Sequence, residues 1–239
     1  MPPIDPSANL SPDTPLSKLP NFDPRTMPVI GVDTHLPPVP RERLAPTALR
    51  QRFVQPPGWE PEVWSERQFM ERQIAKAAVL VPIVMRERPM VLLTERATHL
   101  STHSGQIAFP GGRVDDTDQD HIDTALREAQ EEIGLERAWS EVLGEMPTYT
   151  TGSRFIITPV VALVRPDYQL TLNAHEVADA FEVPLDFLMN PAHHRRHSIE
   201  FSGVRREWFS MPYMDGSTER FVWGATAAML RNFYRFLSA

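Results

Sequence analysis

Cysteine is absent from the 239-residue chain. Its absence excludes disulfides, zinc sites built on thiolates and a thiol nucleophile. No apolar run reaches the ~18 residues that a membrane-spanning helix requires, and the first residues do not combine a basic stretch with an apolar one, as a signal peptide would. The sequence therefore predicts a cytoplasmic protein that does not enter a membrane.

An excess of positive charge is also lacking. Lys and Arg together number 24 against 31 Asp and Glu, which gives a net charge of −7. Broad nucleic-acid binding requires a basic face, so we do not expect a nucleic-acid partner. A polyanionic small molecule remains compatible with this charge because a bound metal ion supplies positive charge locally. The sequence leaves a homodimer open.

Proline is abundant but unevenly distributed. Fifteen of the 24 prolines lie before residue 62, and such a density is incompatible with a long helix or a central strand. We therefore expect a proline-rich N-terminal arm at residues 1–60, with a short helix near 41–53. The globular domain is predicted at 76–239, and the first 40 residues are expected to be dispensable for chemistry.

The pattern of apolar residues predicts strands and helices that alternate along the globular domain. Strands are expected at 77–85, 90–94, 105–109, 139–146, 155–164 and 168–172, with a loop or short strand at 176–184. A hairpin is expected within 198–212, and a final amphipathic helix at 224–237. This order predicts an α+β fold in which helices cover both faces of a mixed sheet.

The segment 111–135 carries the strongest chemical signal, a glycine pair followed by an acidic linker and a helix. The apolar positions that predict the buried face of this helix are Ile122, Leu126, Ala129 and Ile133. Glu128, Glu131 and Glu132 fall on the opposite arc. Like charges four residues apart destabilise a helix by roughly 0.2–0.5 kcal/mol per pair, and a hard divalent cation would offset that repulsion. The alternative is an ordinary solvated acidic face.

Residues around the glutamates extend the pattern. Gly112 precedes Asp118 by six residues, and Arg127 stands directly before Glu128. This arrangement resembles the Nudix box, the signature of the Nudix hydrolases. Two features depart from its commonest form: Asp118 replaces a glutamate, and the gap from Asp118 to Arg127 is one residue longer. Both departures resemble the branch of the family that cleaves coenzyme A.

The stretch directly before the box, residues 92–112, is more specific than the box itself. It is similar to the motif of the coenzyme A pyrophosphatases at ten positions, which are Thr94, Arg96, Leu100, His103, Gly105, Gln106, Phe109, Pro110, Gly111 and Gly112. Residues 211–213 and 223–227 are also similar to this branch. The resemblance covers about residues 77–237 and leaves the N-terminal arm unmatched.

The resemblance implies an α/β/α sandwich, the Nudix fold, and a hydrolase that uses Mg²⁺ or Mn²⁺. The implied reaction cleaves the pyrophosphate bond of coenzyme A or its derivatives to 3′,5′-ADP and 4′-phosphopantetheine. Two alternatives remain: hydrolysis of another nucleoside diphosphate derivative, such as ADP-ribose or a dinucleotide, or a non-catalytic Nudix-fold ligand sensor. The presence of all three box glutamates disfavours the sensor.

The resemblance also assigns the metal ligands and a positioning residue. Glu128 and Glu132 are the first-choice ligands, Glu131 binds directly or through water, and the carbonyl of Gly112 adds a further ligand. Glu131 and Arg127 count among the catalytic candidates. We expect Arg127 to pair with Asp118 and so to orient Glu128.

Substrate-contacting candidates lie outside the box. Arg96 and His103 are expected to contact phosphate oxygens and Gln106 to hydrogen-bond substrate, with structural packing as the alternative for each. A further glutamate from a later loop is expected to act as general base. Glu176 is our first choice, because it follows a polar loop, and Glu182 is the alternate. The basic run 193–197 is interpreted as a solvated loop, or else as a contact for the 3′-phosphate of coenzyme A.

Overall fold

The computed structural model describes residues 14–16, 19, 22–63, 75–99, 104–152 and 155–239. Twelve strands occur in this part of the chain: β1 (Val29–Val32), β2 (Ala75–Val84), β3 (Met90–Arg96), β4 (Ile107–Ala108), β5 (Gly111–Arg113), β6 (Ser140–Glu145), β7 (Tyr149–Thr150), β8 (Phe155–Val164), β9 (Val177–Pro184), β10 (Arg195–Phe201), β11 (Val204–Asp215) and β12 (Thr218–Trp223). The α-helices are α1 (Pro46–Val54), α2 (His121–Ile133), α3 (Leu185–Leu188) and α4 (Gly224–Ser238), and 3₁₀ turns occupy Arg41–Leu44, Arg137–Trp139 and Pro191–His193. None of the described helices is long and apolar enough to cross a membrane.

The larger sheet has eight strands and mixed direction. Its central path runs β4-β3-β2-β8-β6, while β5, β7 and β9 pair with β2, β8 and β3 respectively. Strands β2 and β8 are parallel along their full lengths, from Ala75 opposite Phe155 to Val84 opposite Val164. The remaining pairs in this sheet are antiparallel. The predicted mixed sheet is therefore confirmed.

The two faces of this sheet carry separate cores because successive strand residues point to opposite sides. In β2, Val79 and Val81 pack into the core that α1 and α4 cover. Ala78 and Leu80 pack into the other core, with Ala129 and Ile133 of α2. Helices thus cover both faces, as the α+β, three-layer prediction requires.

A second sheet of four antiparallel strands, in the order β1-β10-β11-β12, packs beside the first. The sequence predicted only a hairpin in this region. The observed strands extend the hairpin to residues 195–215 and add β12 and the N-terminal strand β1. Pairing of β1 with β10 joins residues more than 160 positions apart, which local pattern does not reveal.

The N-terminal region is not a separate arm over its described length. Leu44 and Leu49 are buried in the same core as α4. Asp33 is 4% exposed and forms ion pairs with Arg196 and Arg231. Deleting residues 1–40 would remove these ion pairs, while the expectation that the segment is dispensable for chemistry stays a prediction. Prolines prevent regular helix, but they do not prevent a chain from packing in an extended form.

One predicted strand is wrong. Residues 168–172 form a loop rather than a strand. This loop hydrogen-bonds to the end of α2, because the Thr171 N–H donates to the Ile133 carbonyl and the Asn173 N–H to the Glu132 carbonyl. These backbone bonds replace a strand ladder and carry the chain back toward the glutamates of α2.

Candidate active site

Helix α2 presents the box glutamates from well-capped ends. At its start, the Asp120 side chain accepts a hydrogen bond from the Asp123 N–H at 2.8 Å. At its end, Gly134 adopts φ 71°, the left-handed conformation that glycine tolerates best. The buried face of α2 includes Ala129 and Ile133, as the periodicity predicted. The glutamates are therefore held on a rigid element.

Gly112 lies against the carboxylate of Glu128. A Cβ atom at position 112 would lie 2.5 Å from Oε1 of Glu128, so a side chain there would displace this carboxylate. Gly111 is constrained more strictly, since a Cβ there would lie 2.6 Å from the Cα of Val79, a backbone atom. The two glycines thus let β5 pass between β2 and α2, with its backbone in contact with the Glu128 carboxylate.

Glu132 is the most buried of the three box glutamates, with 4% of its surface exposed. Burial raises the pKa of Glu132 to about 7, while the Gly111 N–H and Arg96 oppose that rise. The Gly111 N–H donates to Oε2 at 3.0 Å, and Nη1 of Arg96 lies 3.7 Å from Oε1. The charges of Glu128 and Glu176 raise the pKa of Glu132 further, so the carboxylates of Glu128, Glu132 and Glu176 interact electrostatically.

The other two box glutamates differ in exposure. Burial raises the pKa of Glu128, and Arg127 partly offsets that effect. Glu131 has a side chain that is 56% exposed, and it pairs with Nη1 of Arg127 at 2.9 Å. Glu128 and Glu132 consequently form the inner part of the acidic cluster, with Glu131 at its solvent edge.

Arg127 links the acidic loop to the helix. Its Nε and Nη2 donate to the two carboxylate oxygens of Asp118 at 2.8 and 2.9 Å. Nη1 donates to Glu128 and Glu131, and Nη2 also donates to the Arg113 carbonyl. Hydrogen bonds from Arg127 hold the pKa of Asp118 below its usual range. The expected Arg127–Asp118 pair is present.

Glu176 lies near the box glutamates, because the Asn173 N–H of its loop donates to the Glu132 carbonyl at 2.9 Å. The charge of Glu176 contributes to the raised pKa of both Glu128 and Glu132. Nδ2 of Asn173 donates to Glu176 Oε1 at 3.0 Å. The backbone of this loop is also fixed, since Ala97 N–H donates to the Glu176 carbonyl at 2.9 Å. The sequence pattern did not identify Asn173 as a partner of Glu176, because this contact depends on the path of the loop.

Glu182, the alternate choice, has other partners. Its carboxylate oxygens accept hydrogen bonds from Nε and Nη2 of Arg86, each at 2.6 Å, and from the Tyr168 hydroxyl at 2.7 Å. It lies opposite Leu92 in the β3–β9 pair, whereas Val177, next to Glu176, lies opposite Arg96. The two glutamates are therefore separated along β9, and Glu176 is the one beside the cluster.

The substrate-contacting candidates were Arg96, Gln106 and His103. Arg96 and Gln106 are joined through their backbones, as the Arg96 N–H donates to the Gln106 carbonyl at 3.0 Å. Within the described residues, Nε of Arg96 is buried and hydrogen-bonds to no other group. His103 lies outside the described residues. Arg96 therefore faces the carboxylate of Glu132, while its buried Nε has no hydrogen-bond partner among the described residues.

A cavity of about 340 Å³ lies beside the glycine strand. Its polar lining includes Arg96, Gln106 and the backbone of Gly112. The rest of the lining is largely apolar and comes from the sheet, from the start of α4 and from the N-terminal segment; it includes Leu16, Val79, Ile107, Phe155, Trp223, Ala225 and Met229. The cavity therefore combines charged side chains with a largely apolar surface.

The motif at 223–227, noted in the sequence, contributes to this cavity. Trp223, Ala225 and Thr226 are part of its lining, and the Thr226 hydroxyl donates to the Ile107 carbonyl at 3.1 Å. The contribution of Leu16 had no sequence signal, because it comes from the proline-rich region.

The basic run 193–197 is not a solvated loop. His194 is fully buried, with Nε2 2.7 Å from the Leu188 carbonyl and Nδ1 3.2 Å from Nη1 of Arg231. His197 contacts the Ser210 hydroxyl at 2.8 Å, and Arg196 binds Asp33. These side chains join the second sheet to α4 and to the N-terminal region.

The acidic cluster fits a divalent cation by its chemistry. Its donors are carboxylate oxygens, which hard cations prefer, and burial together with mutual repulsion raises the pKa of Glu128 and Glu132. As the side chains stand, however, no three acidic or histidine residues in the described ranges converge on one point. Nη1 of Arg127 instead donates to one oxygen of Glu128 and one oxygen of Glu131.

Comparison with known proteins identifies the family. The model of the NUDIX domain matches residues 75–210, more than half of the chain. The uncharacterized Nudix hydrolases NudL of Yersinia pestis (strain Pestoides F) and of Yersinia pseudotuberculosis (serotype O:1b, strain IP 31758) are each 39% identical over 157 residues, which cover 66% of this chain and 77% of theirs. The chain belongs to the Nudix family and is a Nudix hydrolase.

Solved structures show more distant similarity. A Caenorhabditis elegans Ap4A hydrolase in a binary complex is 21% identical, with a TM-score of 0.41, over 50% of this chain and 86% of that one. The NUDIX domain of Shewanella oneidensis NrtR, complexed with ADP ribose, is 21% identical, with a TM-score of 0.38, over 48% of this chain and 75% of that one. Similarity at this level does not bear on the substrate.

Proposed function

We propose that this Nudix hydrolase is a divalent-metal-dependent pyrophosphatase that cleaves coenzyme A or its derivatives to 3′,5′-ADP and 4′-phosphopantetheine. One observation carries the proposal. The segment 92–112, which resembles the coenzyme A pyrophosphatase motif, contains Arg96 and the glycine pair, which contact the box glutamates and also line the cavity. A diphosphate at the glycine strand would place one arm of the substrate in that cavity.

The residues that would hold Mg²⁺ or Mn²⁺ are Glu128, Glu132, the carbonyl of Gly112 and, directly or through water, Glu131. When bound, the ion neutralises charge on the diphosphate and makes hydroxide available near neutral pH. The raised pKa of Glu132 and Glu128 supports this assignment, because a nearby cation favours the ionised carboxylates that burial disfavours.

Other side chains would act on the substrate directly. Arg96, which lines the cavity, would bind a phosphate oxygen. Glu176 would accept the proton of the water that attacks phosphorus as the bridging oxygen–phosphorus bond breaks. Arg127, which is saturated by Asp118, Arg113 and the glutamates, would hold Glu128 in place. Gln106 and His103 remain candidate substrate contacts.

A substrate panel tests the proposal. Coenzyme A, ADP-ribose and diadenosine tetraphosphate would be compared by kcat/KM with Mg²⁺ and with Mn²⁺. We expect coenzyme A to have the highest value and Glu128→Gln to abolish its hydrolysis. Glu136→Gln, which changes an exposed glutamate beyond α2, is the matched control and should keep wild-type rates. Preference for ADP-ribose or the dinucleotide, with coenzyme A left intact, would contradict the substrate assignment and favour the alternative.

A further inference from the structure

The apolar lining of the cavity includes a wall from the N-terminal region. Leu16 is 7% exposed and lines the cavity together with Trp223 and Met229. It precedes β2, the first strand of the larger sheet, by almost 60 residues. The cavity is therefore completed by a segment that lies outside the matched family region, residues 75–210.

This wall is anchored independently of the acidic cluster. Nη1 of Arg206, on β11, donates to the Thr14 carbonyl. Leu16 packs with Leu19 and Trp208 in a small apolar cluster. Phe22 contacts the rings of Trp208 and Trp223 at centroid distances of 5.5 and 5.9 Å. Leu16 is thus positioned by the second sheet, and Trp223 belongs both to that anchor and to the cavity.

The residues that line the cavity favour different parts of a substrate. Arg96 and Arg113 supply positive charge, which suits phosphate oxygens. Leu16, Ala225 and Met229 form an apolar part of the lining. A nucleotide arm bearing a further phosphate would leave its charge unpaired there, which costs free energy. An uncharged chain would instead gain by burying apolar surface.

We propose that Leu16 determines selectivity for the acyl group of coenzyme A thioesters, by bounding the space into which the pantetheine arm and its acyl chain extend. This inference rests on the proposed function. A larger residue at position 16 fills the cavity and excludes longer acyl chains, whereas a smaller one admits them.

The test compares Leu16→Trp, Leu16→Ala and Leu19→Ala. Leu19 is a matched control, because it is also 7% exposed and lies in the same apolar cluster but does not line the cavity. The quantity measured is the ratio of kcat/KM for hexanoyl-coenzyme A to that for coenzyme A. We expect Leu16→Trp to lower this ratio at least about tenfold through KM and Leu16→Ala to raise it. Leu19→Ala should leave it unchanged.

Thermal unfolding of each variant accompanies the kinetics, and the three variants should lose similar stability. The inference is overturned if the wild type hydrolyses coenzyme A and its thioesters while both Leu16 variants keep the ratio of Leu19→Ala. A wild type that hydrolyses none of these compounds overturns the proposed function, and the selectivity role of Leu16 with it. The wild-type measurement alone distinguishes these two failures.

Discussion

Asn173 fixes the side chain of Glu176 through a hydrogen bond of 3.0 Å from its Nδ2 to Oε1. The same residue binds α2, because its backbone N–H donates to the Glu132 carbonyl at 2.9 Å. The loop that supplies our proposed general base is therefore attached directly to the helix that supplies the proposed metal ligands. Asn173 is positioned to set the distance between the two.

This relationship predicts the effects of changes in the loop. Glu176→Gln should lower kcat by roughly 10²–10⁴-fold, the range for loss of a general base. Asn173→Ala should lower kcat by a smaller factor, because Glu176 remains but is no longer held, and the change in KM should be small for both. Asn173→Asp, which cannot donate to the carboxylate, should resemble Asn173→Ala. Steady-state kinetics on coenzyme A provide the measurement.

Glu182→Gln is the control for that prediction. Glu182 binds Arg86 and Tyr168, so its loss should reduce stability while turnover remains close to that of the wild type. Near-normal turnover in Glu176→Gln combined with inactivity in Glu182→Gln would contradict the choice of base.

The Arg127–Asp118 pair predicts non-additive mutations. Arg127→Ala and Asp118→Ala should each lower kcat, since each frees Glu128 from its orientation by Arg127. The double variant should be little worse than the poorer single one, because both changes remove one interaction. A double-mutant cycle on kcat/KM measures this coupling, and strictly additive losses would show that the pair does not act as a unit.

The acidic cluster predicts a metal-dependent change in stability. Binding of Mn²⁺ should raise the melting temperature of the wild type, because a ligand of the folded state stabilises it. Glu132→Gln should lose most of this increase and lower turnover by orders of magnitude, while the apolar face of α2 keeps the fold intact. Differential scanning calorimetry with and without Mn²⁺ measures the shift. An equal shift in Glu136→Gln and Glu132→Gln would place the cation elsewhere.

The burial of His194 predicts that a fall in pH lowers the free energy of unfolding. Burial lowers the pKa of His194 to about 4, below its usual 6.5, so the folded state prefers the neutral ring. As the pH falls from 6.5 toward 4, the unfolded state gains a proton that the folded state does not, and the free energy of unfolding falls by up to about 3 kcal/mol. Glu132, with its raised pKa, contributes in the opposite direction between pH 7 and 4.5.

The contribution of His194 is therefore measured by comparing the wild type with His194→Gln, which carries no titrating ring. Urea unfolding should show that the free energy of unfolding falls more between pH 7 and pH 4.5 in the wild type than in His194→Gln. Equal losses in the two proteins would mean that the ring does not remain neutral in the folded state.

Local pattern predicted part of this molecule well. The end of α2 follows from Gly134, and periodicity correctly placed Ala129 and Ile133 on its buried face, although Glu132 is buried as well. Strand β8 was predicted at its observed limits. The pairing of Arg127 with Asp118 also follows, because both lie within one short motif. These features depend on residues close together in the chain, where spacing determines geometry.

Features that depend on distant contacts could not be predicted in the same way. The parallel pairing of β2 with β8 joins segments about 80 residues apart. Asn173 and Leu16 acquire their positions from loops whose paths are set by tertiary hydrogen bonds and packing. The basic run 193–197 was misread because its charge indicated solvent, whereas Asp33 and Arg231 enclose it in the fold.

The central claim is that the acidic cluster on α2 serves cleavage of the diphosphate of coenzyme A. Mass spectrometry of the products formed from coenzyme A with Mg²⁺ or Mn²⁺ tests it most directly. We predict equal amounts of 3′,5′-ADP and 4′-phosphopantetheine from the wild type and neither product from Glu132→Gln. Intact coenzyme A after incubation with a wild-type protein that hydrolyses ADP-ribose, or unchanged product formation by Glu132→Gln, would contradict the account.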